Sequence, residues 1–354
     1  MKIRIFSLVC IAVLLFSLVA CGNKTASPTE TSSAAPETTA GGEPAQTPRT
    51  PVDVKIYTLN GTTGFGMAKL MEEVANGEIT SDRYSIEVKT DATNDVLPAL
   101  RIGSVDIAAL PTNAASTVYN KTNGGVKILA VNTLGCLYLV TTDGSAVSSL
   151  ADLDGKTVCV PAQNPTFLFT HLLQANGLSG KVTVDSTSYA APADLRDAVA
   201  AGTVAVAVLP EPMVTMAKAA AAKAGKTVNV ALDLTAEWDK IPNEAGTLVQ
   251  GCVVVRTAFL EAHPESVADF LTRYQASVGY VNTNTEEAAA LIAKHGIFAN
   301  EAVAKTAIPK CNIAYLGGAE MKTAMQTYLN ILLGVNPNSI GGKLPADDFY
   351  YLGK

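Results

Sequence analysis

Two stretches of the chain follow the same pattern. One runs Leu100-Arg101-Ile102-Gly103-Ser104-Val105-Asp106-Ile107-Ala108-Ala109-Leu110-Pro111-Thr112-Asn113. The other runs Val199-Ala200-Ala201-Gly202-Thr203-Val204-Ala205-Val206-Ala207-Val208-Leu209-Pro210-Glu211-Pro212. Each reads as a helix end, a glycine suited to a C-cap, a short buried strand, then Leu-Pro and a polar residue. The segments upstream match as well. Val54 to Leu59 alternates as a strand and runs into Asn60-Gly61-Thr62-Thr63-Gly64-Phe65-Gly66, then a helical stretch from Met67 to Ala75. Lys156 to Val160 is its counterpart, leading through Pro161-Ala162-Gln163-Asn164-Pro165-Thr166 to a helix from Phe167 to Asn176. A second strand follows in each half, Tyr84 to Lys89 and Lys181 to Ser188. Strands alternating with helices imply an α/β protein with parallel pairing.

Two such halves make two lobes facing across a cleft. The apolar runs Leu134 to Thr142 and Val249 to Arg256 are expected to be the two crossings of a hinge. Beyond Ala258 the pattern is mainly helical, over Ala258–Ala262, Pro264–Asn282, Thr285–His295, Ala299–Ala307 and Ala319–Leu333. This tail is expected to return to the first lobe, which is then discontinuous: 51–138 with 252–354, against 139–251 for the second. The length from Pro51 onward exceeds what one simple core organises, in keeping with two domains.

The N-terminal residues carry a different message. Lys2 and Arg4 precede an almost wholly apolar stretch from Ile5 to Ala20, the layout of an export signal over residues 1–20. Leu18-Val19-Ala20-Cys21-Gly22 then resembles the lipobox of bacterial lipoproteins, which implies lipidation of Cys21. Residues 21–50 are dominated by Thr, Ser, Ala, Pro, Gly and Glu. Such a segment buries too little apolar surface to offset its ordering entropy, and reads as a disordered tether spanning roughly 30 Å root-mean-square. These features place the folded part outside the cytoplasm, on a membrane surface or in a periplasm.

A net charge of −6 with no basic cluster argues against nucleic acid as a partner. Beyond Cys21 lie Cys136, Cys159, Cys252 and Cys311, with no C-x-x-C spacing, and only His171, His263 and His295 to help a metal. No metal site or cofactor is expected from them. An oxidising compartment permits disulfides. Four cysteines allow three complete pairings; Cys252 with Cys311 is preferred, with four buried thiols as the alternative.

Ligands of open α/β sheets bind beyond the carboxyl ends of the strands, where helix N-termini offer unpaired N–H groups. That rule selects Asn60, Thr62, Thr63 and Phe65 in the first lobe, with Thr112 and Asn113. In the second it selects Gln163, Asn164, Thr166 and Glu211, with Tyr189 on the rim. The loop Asp91–Asn94 completes the rim. Phe65 and Tyr189 are candidates for stacking on a planar ligand. Asn, Thr and Ser at such places also cap helices, so each has a purely structural alternative. Catalytic patterns are missing: Gly61 to Met67 lacks the Lys-[Ser/Thr] of a P-loop and is not Gly-x-Gly-x-x-Gly, and no Gly-x-Ser-x-Gly elbow occurs.

Lipobox, tether, paired lobes and helical tail together resemble the solute-binding lipoproteins of bacterial ABC importers. Residues 52–351 are most similar to the nitrate/sulfonate/taurine type, which includes binders of thiamine-pyrimidine precursors. The resemblance rests on Leu59-Asn60-Gly61-Thr62-Thr63-Gly64, Asp106-Ile107-Ala108-Ala109-Leu110-Pro111-Thr112-Asn113 and Leu209-Pro210-Glu211-Pro212-Met213-Val214-Thr215. It implies a type II periplasmic-binding-protein fold, two lobes with two hinge crossings. It also implies a non-enzymatic, monomeric protein that captures a small anionic or heterocyclic solute and delivers it to a permease and its ATPase. An enzyme on the same fold, a small-molecule lyase or synthase, and a ligand-sensing surface lipoprotein are the alternatives.

Overall fold

The computed structural model describes residues 50–142 and 144–353. The expected export signal, Cys21 and nearly all of the tether lie outside the described residues. The first sheet begins with β1 (Asp53–Leu59), which buries Val54 and Ile56 on one face. Helices α1 (Thr62–Phe65) and α2 (Ala68–Ala75) lead to β2 (Arg83–Lys89), paired in parallel with β1. Helix α3 (Leu97–Ile102) stops at Gly103, whose φ of 77° is left-handed and suits a residue without a Cβ. Strand β3 (Ile107–Pro111), α4 (Thr112–Thr122) and β4 (Val126–Leu134) complete this part.

The chain then crosses at Gly135–Cys136 into β5 (Leu137–Thr142) of a second sheet. The pattern repeats there: β6 (Thr157–Cys159), α5 (Asn164–Ala175), β7 (Thr183–Asp185), α6 (Pro192–Ala200), β8 (Val206–Pro210), α7 (Met213–Lys223), β9 (Val228–Asp233) and α8 (Leu234–Trp238). A loop returns the chain to the first sheet as β10 (Val249–Arg256). The tail follows as α9 (Thr257–Ala262), α10 (Pro264–Thr283), α11 (Thr285–Lys294), α12 (Glu301–Ala307), β11 (Ile313–Gly317) and α13 (Gly318–Val335).

The first sheet has the order β11-β4-β10-β3-β1-β2, the second β7-β6-β8-β5-β9. In each, three parallel strands are followed by one antiparallel strand: β10 beside β3, and β5 beside β8. The sequence repeat is thus carried up to the sheets. The run Leu134 to Thr142, expected as one crossing strand, is split between the sheets at Gly135–Cys136. Val249 to Arg256, expected as the other crossing, lies wholly in the first sheet, and the crossing is the loop before it. Apolarity marks both runs as buried strands but carries no record of which sheet accepts them. Strands β9 and β11 were not anticipated.

Helix α10 shows why the tail folds as it does. Val267, Phe270, Tyr274, Val278 and Val281 recur at intervals of three and four residues and are all buried. With buried side chains of α2, α11 and α12 they cover one face of the first sheet. A second cluster runs from the opposite face of that sheet to the second sheet, joined by Leu168, Phe169 and Leu172 of α5 and Met325, Tyr328 and Leu329 of α13. The outer face of the second sheet is covered by α6 and α7 through Leu195, Val199, Val214 and Ala217. Among the described residues, no helix is long and apolar enough to cross a membrane.

Cys136, Cys159, Cys252 and Cys311 are free and buried, so the preferred Cys252–Cys311 pairing is not formed. Cys252 points into the core between the sheets, whereas Cys311 belongs to the core on the other side of the first sheet. The sheet itself separates them. Burial pushes the Cys136 thiol up to about 12, against the one bond from Thr62 that lowers it.

Candidate functional site

At the end of β1 the backbone turns sharply. Asn60 N–H donates to Lys89 O (2.9 Å), and Gly61 N–H to Ile297 O (3.0 Å). A Cβ on Gly64 would stand 1.8 Å from Leu59 O, so only glycine lets α1 fold this closely over the strand end. Asn60 is exposed and Thr62 and Thr63 are half-buried. The Thr63 carbonyl accepts from Asn132 Nδ2 (3.0 Å), which fixes the turn to β4. Phe65 does not reach this surface. It is fully buried and meets Phe298 edge-on at 6.2 Å, which makes it a core side chain.

Thr112, also fully buried, opens α4 after β3; its Oγ1 donates to Val249 O (2.8 Å). Asn113, half-buried, turns its Nδ2 toward Ser339 O (3.4 Å), while its Oδ1 is buried without a hydrogen-bond partner. Thr112 thereby ties the site to the start of β10, and Asn113 ties α4 to the turn at 337–340.

In the second half, Gln163 is exposed and held at φ 66°, a left-handed backbone that a non-glycine residue adopts at a cost. Asn164 Oδ1 accepts from the hydroxyl of Tyr328 (3.0 Å), which reaches across from α13. Thr166 Oγ1 donates to Pro161 O (2.8 Å), closing the turn internally. Tyr189 is half-buried and packs on the cluster that includes Leu195 and Val199. Glu211 is only 2% exposed; its carboxylate accepts from Thr215 N–H (3.1 Å) and Thr215 Oγ1 (3.0 Å). Burial raises its pKa, although the Thr215 bonds and the charges of Lys310 and Lys218 pull the other way. Both oxygens are therefore turned toward the first turn of α7, where a carboxylate offsets the helix's positive end.

Glu211, after β8, and Gln250, in β10, meet at the first crossing. Cys136 N–H donates to Gln250 Oε1 (2.8 Å), and Cys136 O accepts from Glu211 N–H (2.9 Å). Leu134 N–H donates to Asn312 O (3.0 Å), and Asn312 Nδ2 to Gly135 O. The candidate residues of the two sheets are thus joined through residues that sequence reasoning missed: Asn132, Cys136, Gln250, Asn312 and Tyr328. The available signal was a polar residue interrupting a buried apolar run, Asn132-Thr133 in β4 and Gln250 at the start of β10. His171, on the helix behind Gln163, contacts Glu244 (Nε2 to Oε2, 2.8 Å) and lies against Trp238 with ring centroids 5.0 Å apart. It joins α5 to the loop of the second crossing. Apart from Glu211, the Cys136 thiol and the nearby charges of Lys310 and Lys218, the polar groups of the candidate site are neutral amides and hydroxyls with short reach, a set suited to hold a small polar molecule by hydrogen bonds.

Comparison with known proteins gives a consistent picture. A family profile described as "ABC transporter, phosphonate, periplasmic substrate-binding protein" matches residues 69–304. No curated protein sequence matches the chain. Among solved structures, an ABC transporter protein from Parabacteroides distasonis is similar with a TM-score of 0.69 at 23% identity, over 84% of this chain and 98% of that one. The periplasmic aliphatic sulphonate binding protein SsuA from Escherichia coli gives 0.66 at 17% identity, over 85% and 96%. The periplasmic nitrate-binding protein NrtA from Synechocystis PCC 6803 gives 0.53 at 15% identity, over 82% and 84%. At these identities the structural likeness speaks for the fold alone.

Proposed function

The chain belongs to the phosphonate family of periplasmic substrate-binding proteins of ABC transporters, and on that premise we propose that it captures a small polar solute between its two sheets and hands it to a membrane permease driven by an ATPase. The observation that carries this reading is the meeting of Gln250 of the first sheet and Glu211 of the second at Cys136. Asn60, Thr62 and Thr63 on one side and Gln163 and Asn164 on the other are proposed to contact the solute. Thr112, Thr166 and Glu211 shape the site through the bonds described above, and Tyr189 borders it.

The solute class follows from the same chemistry. Helix starts and hydroxyls favour an oxyanion, and two of the similar folds carry names that specify an aliphatic sulphonate and nitrate. A buried Glu211 carboxylate opposes a second negative charge beside it. The favoured solute therefore has one anionic end, placed against the Asn60–Thr63 turn, and a neutral or hydrogen-bond-donating remainder toward Glu211. Cys21 is proposed to carry lipid, holding the protein near its permease and raising the local encounter rate.

A thermal-shift screen of phosphonates, sulfonates, nitrate and pyrimidines tests the reading. A solute at a hundred times its Kd stabilises the native state by about 2.7 kcal/mol, which raises Tm by several degrees. A solute that stabilises the protein equally when Thr63 and Gln163 are both replaced by alanine would sink the proposed site.

A further inference from the structure

The start of β10 is joined to the first crossing by one side chain. Gln250 Oε1 accepts the Cys136 N–H at 2.8 Å, and no other side-chain hydrogen bond joins the backbone of the first crossing to β10, among those described. This link stands in the middle of a relay. Thr112 Oγ1, at the head of α4, donates to Val249 O (2.8 Å). Gln250 receives Cys136 N–H, Cys136 O receives Glu211 N–H (2.9 Å), and Glu211 receives Thr215 at the start of α7. The relay therefore runs from a candidate site residue of the first sheet to one of the second, through β10 and the first crossing.

The placement of Gln250 is built into the strand. Between Val249 and Gly251 the register of β10 against β4 shifts, and again between Gly251 and Cys252. Such irregularities re-aim a side chain out of the ladder. Next to Gln250, Gly251 lets β10 approach β4 closely: a Cβ there would stand 2.6 Å from Asn132 Oδ1 and 2.9 Å from Thr133 Oγ1. The donor that Gln250 serves is on a buried residue, so an open arrangement must leave that N–H to water or to another acceptor.

We propose that Gln250 is the positioning residue of the hinge, and that its amide holds the two sheets in the mutual orientation seen here. The proposal rests on the solute-trap reading for its purpose, but its test needs no solute. Rotation of one sheet against the other must break or remake a bond of the relay. Gln250 makes the link that bends, because its side-chain amide alone passes from the first sheet to Cys136, whereas Cys136 O is bonded backbone to backbone with Glu211 of the second sheet.

Hydrogen exchange on the full chain tests this. Gln250→Met keeps the shape and removes the acceptor of the Cys136 N–H. It should speed exchange at the Cys136 amide by about tenfold, the effect of losing one bond of ordinary strength. Exchange at Glu211, whose acceptor Cys136 O is untouched, at Val253 and Val254 in β10, and the emission of Trp238 should be unchanged. The proposal is overturned if Gln250→Met leaves the Cys136 amide unchanged, or speeds Glu211 or β10 by the same factor. A chain that binds none of the screened solutes leaves this test intact, and a failed test leaves the solute screen intact.

Discussion

A Cβ on Gly135 would stand 2.1 Å from Thr235 Oγ1 and 2.6 Å from Leu248 Cδ2, so the two crossings pass each other at a point where only glycine fits. Gly135→Ala should lower the free energy of unfolding by about 1–3 kcal/mol, the ordinary cost of overpacking. Urea unfolding measures it, and an unchanged midpoint would show that the crossings have slack. Adding Thr235→Ala removes only the closer contact, so recovery should be partial. Glu211 gives a prediction in pH. Its folded pKa is raised by burial, so the native state holds the proton more tightly than the unfolded chain does. Stability from this group is then greatest below the ordinary glutamate range and falls as pH rises through it toward the folded value. Measured as Tm, the Glu211→Gln variant should gain on the unmodified protein as pH rises above the ordinary glutamate range. A difference flat in pH would show that this carboxyl does not titrate with folding. At this scale the sequence named Glu211 and Thr112 correctly as strand-end residues. It did not show that both spend their polar atoms on the protein itself, because those partners, Thr215 apart, are distant in the chain.

Elements of the two sheets are tied by side chains as well as by the crossings. Helix α13 packs on α5, and the buried Tyr328 hydroxyl donates to Asn164 Oδ1 at the first residue of α5. Tyr328→Phe removes that bond and leaves the packing, so it should cost about 1 kcal/mol. Exchange should rise in the first turn of α5 and stay level in α13; a rise in both would mean that the whole helix pair had loosened. The thiols are tested at the same scale. Because Cys252 and Cys311 lie on opposite faces of the first sheet, reductant should leave Tm unchanged. Denaturation without reductant should expose all four thiols beyond Cys21 to alkylation. A loss of stability on reduction would reinstate the pairing. Most elements were legible because periodicity and punctuation coincide in them, as in the Gly103 and Gly202 turns and the Val267 to Val281 stripe. Strand β11 escaped notice because a short run between helices, Ile313 to Gly317, has no flanking pattern of its own. It becomes a strand only because β4 offers it an edge.

For the molecule as a whole, the two-sheet architecture and the family stand together, and the proposed lipid on Cys21 is open to a direct test. Replacing Cys21 by serine should abolish incorporation of radiolabelled palmitate and release the protein from the membrane fraction. Retained label would move the lipid elsewhere and remove the proposed anchor. The sequence by itself determined that there would be two α/β halves, that each would end its strands in polar turns, and that a helical tail would follow. These follow from local periodicity and from glycine and proline punctuation, which act over a few residues. Only the tertiary structure decided which strand joins which sheet, that Phe65 is core, that Cys252 and Cys311 face apart, and that Gln250 of β10 meets the first crossing. Each of those depends on contacts between residues far apart in the chain, and an apolar run or a lone polar residue is compatible with several of them until the sheets have formed.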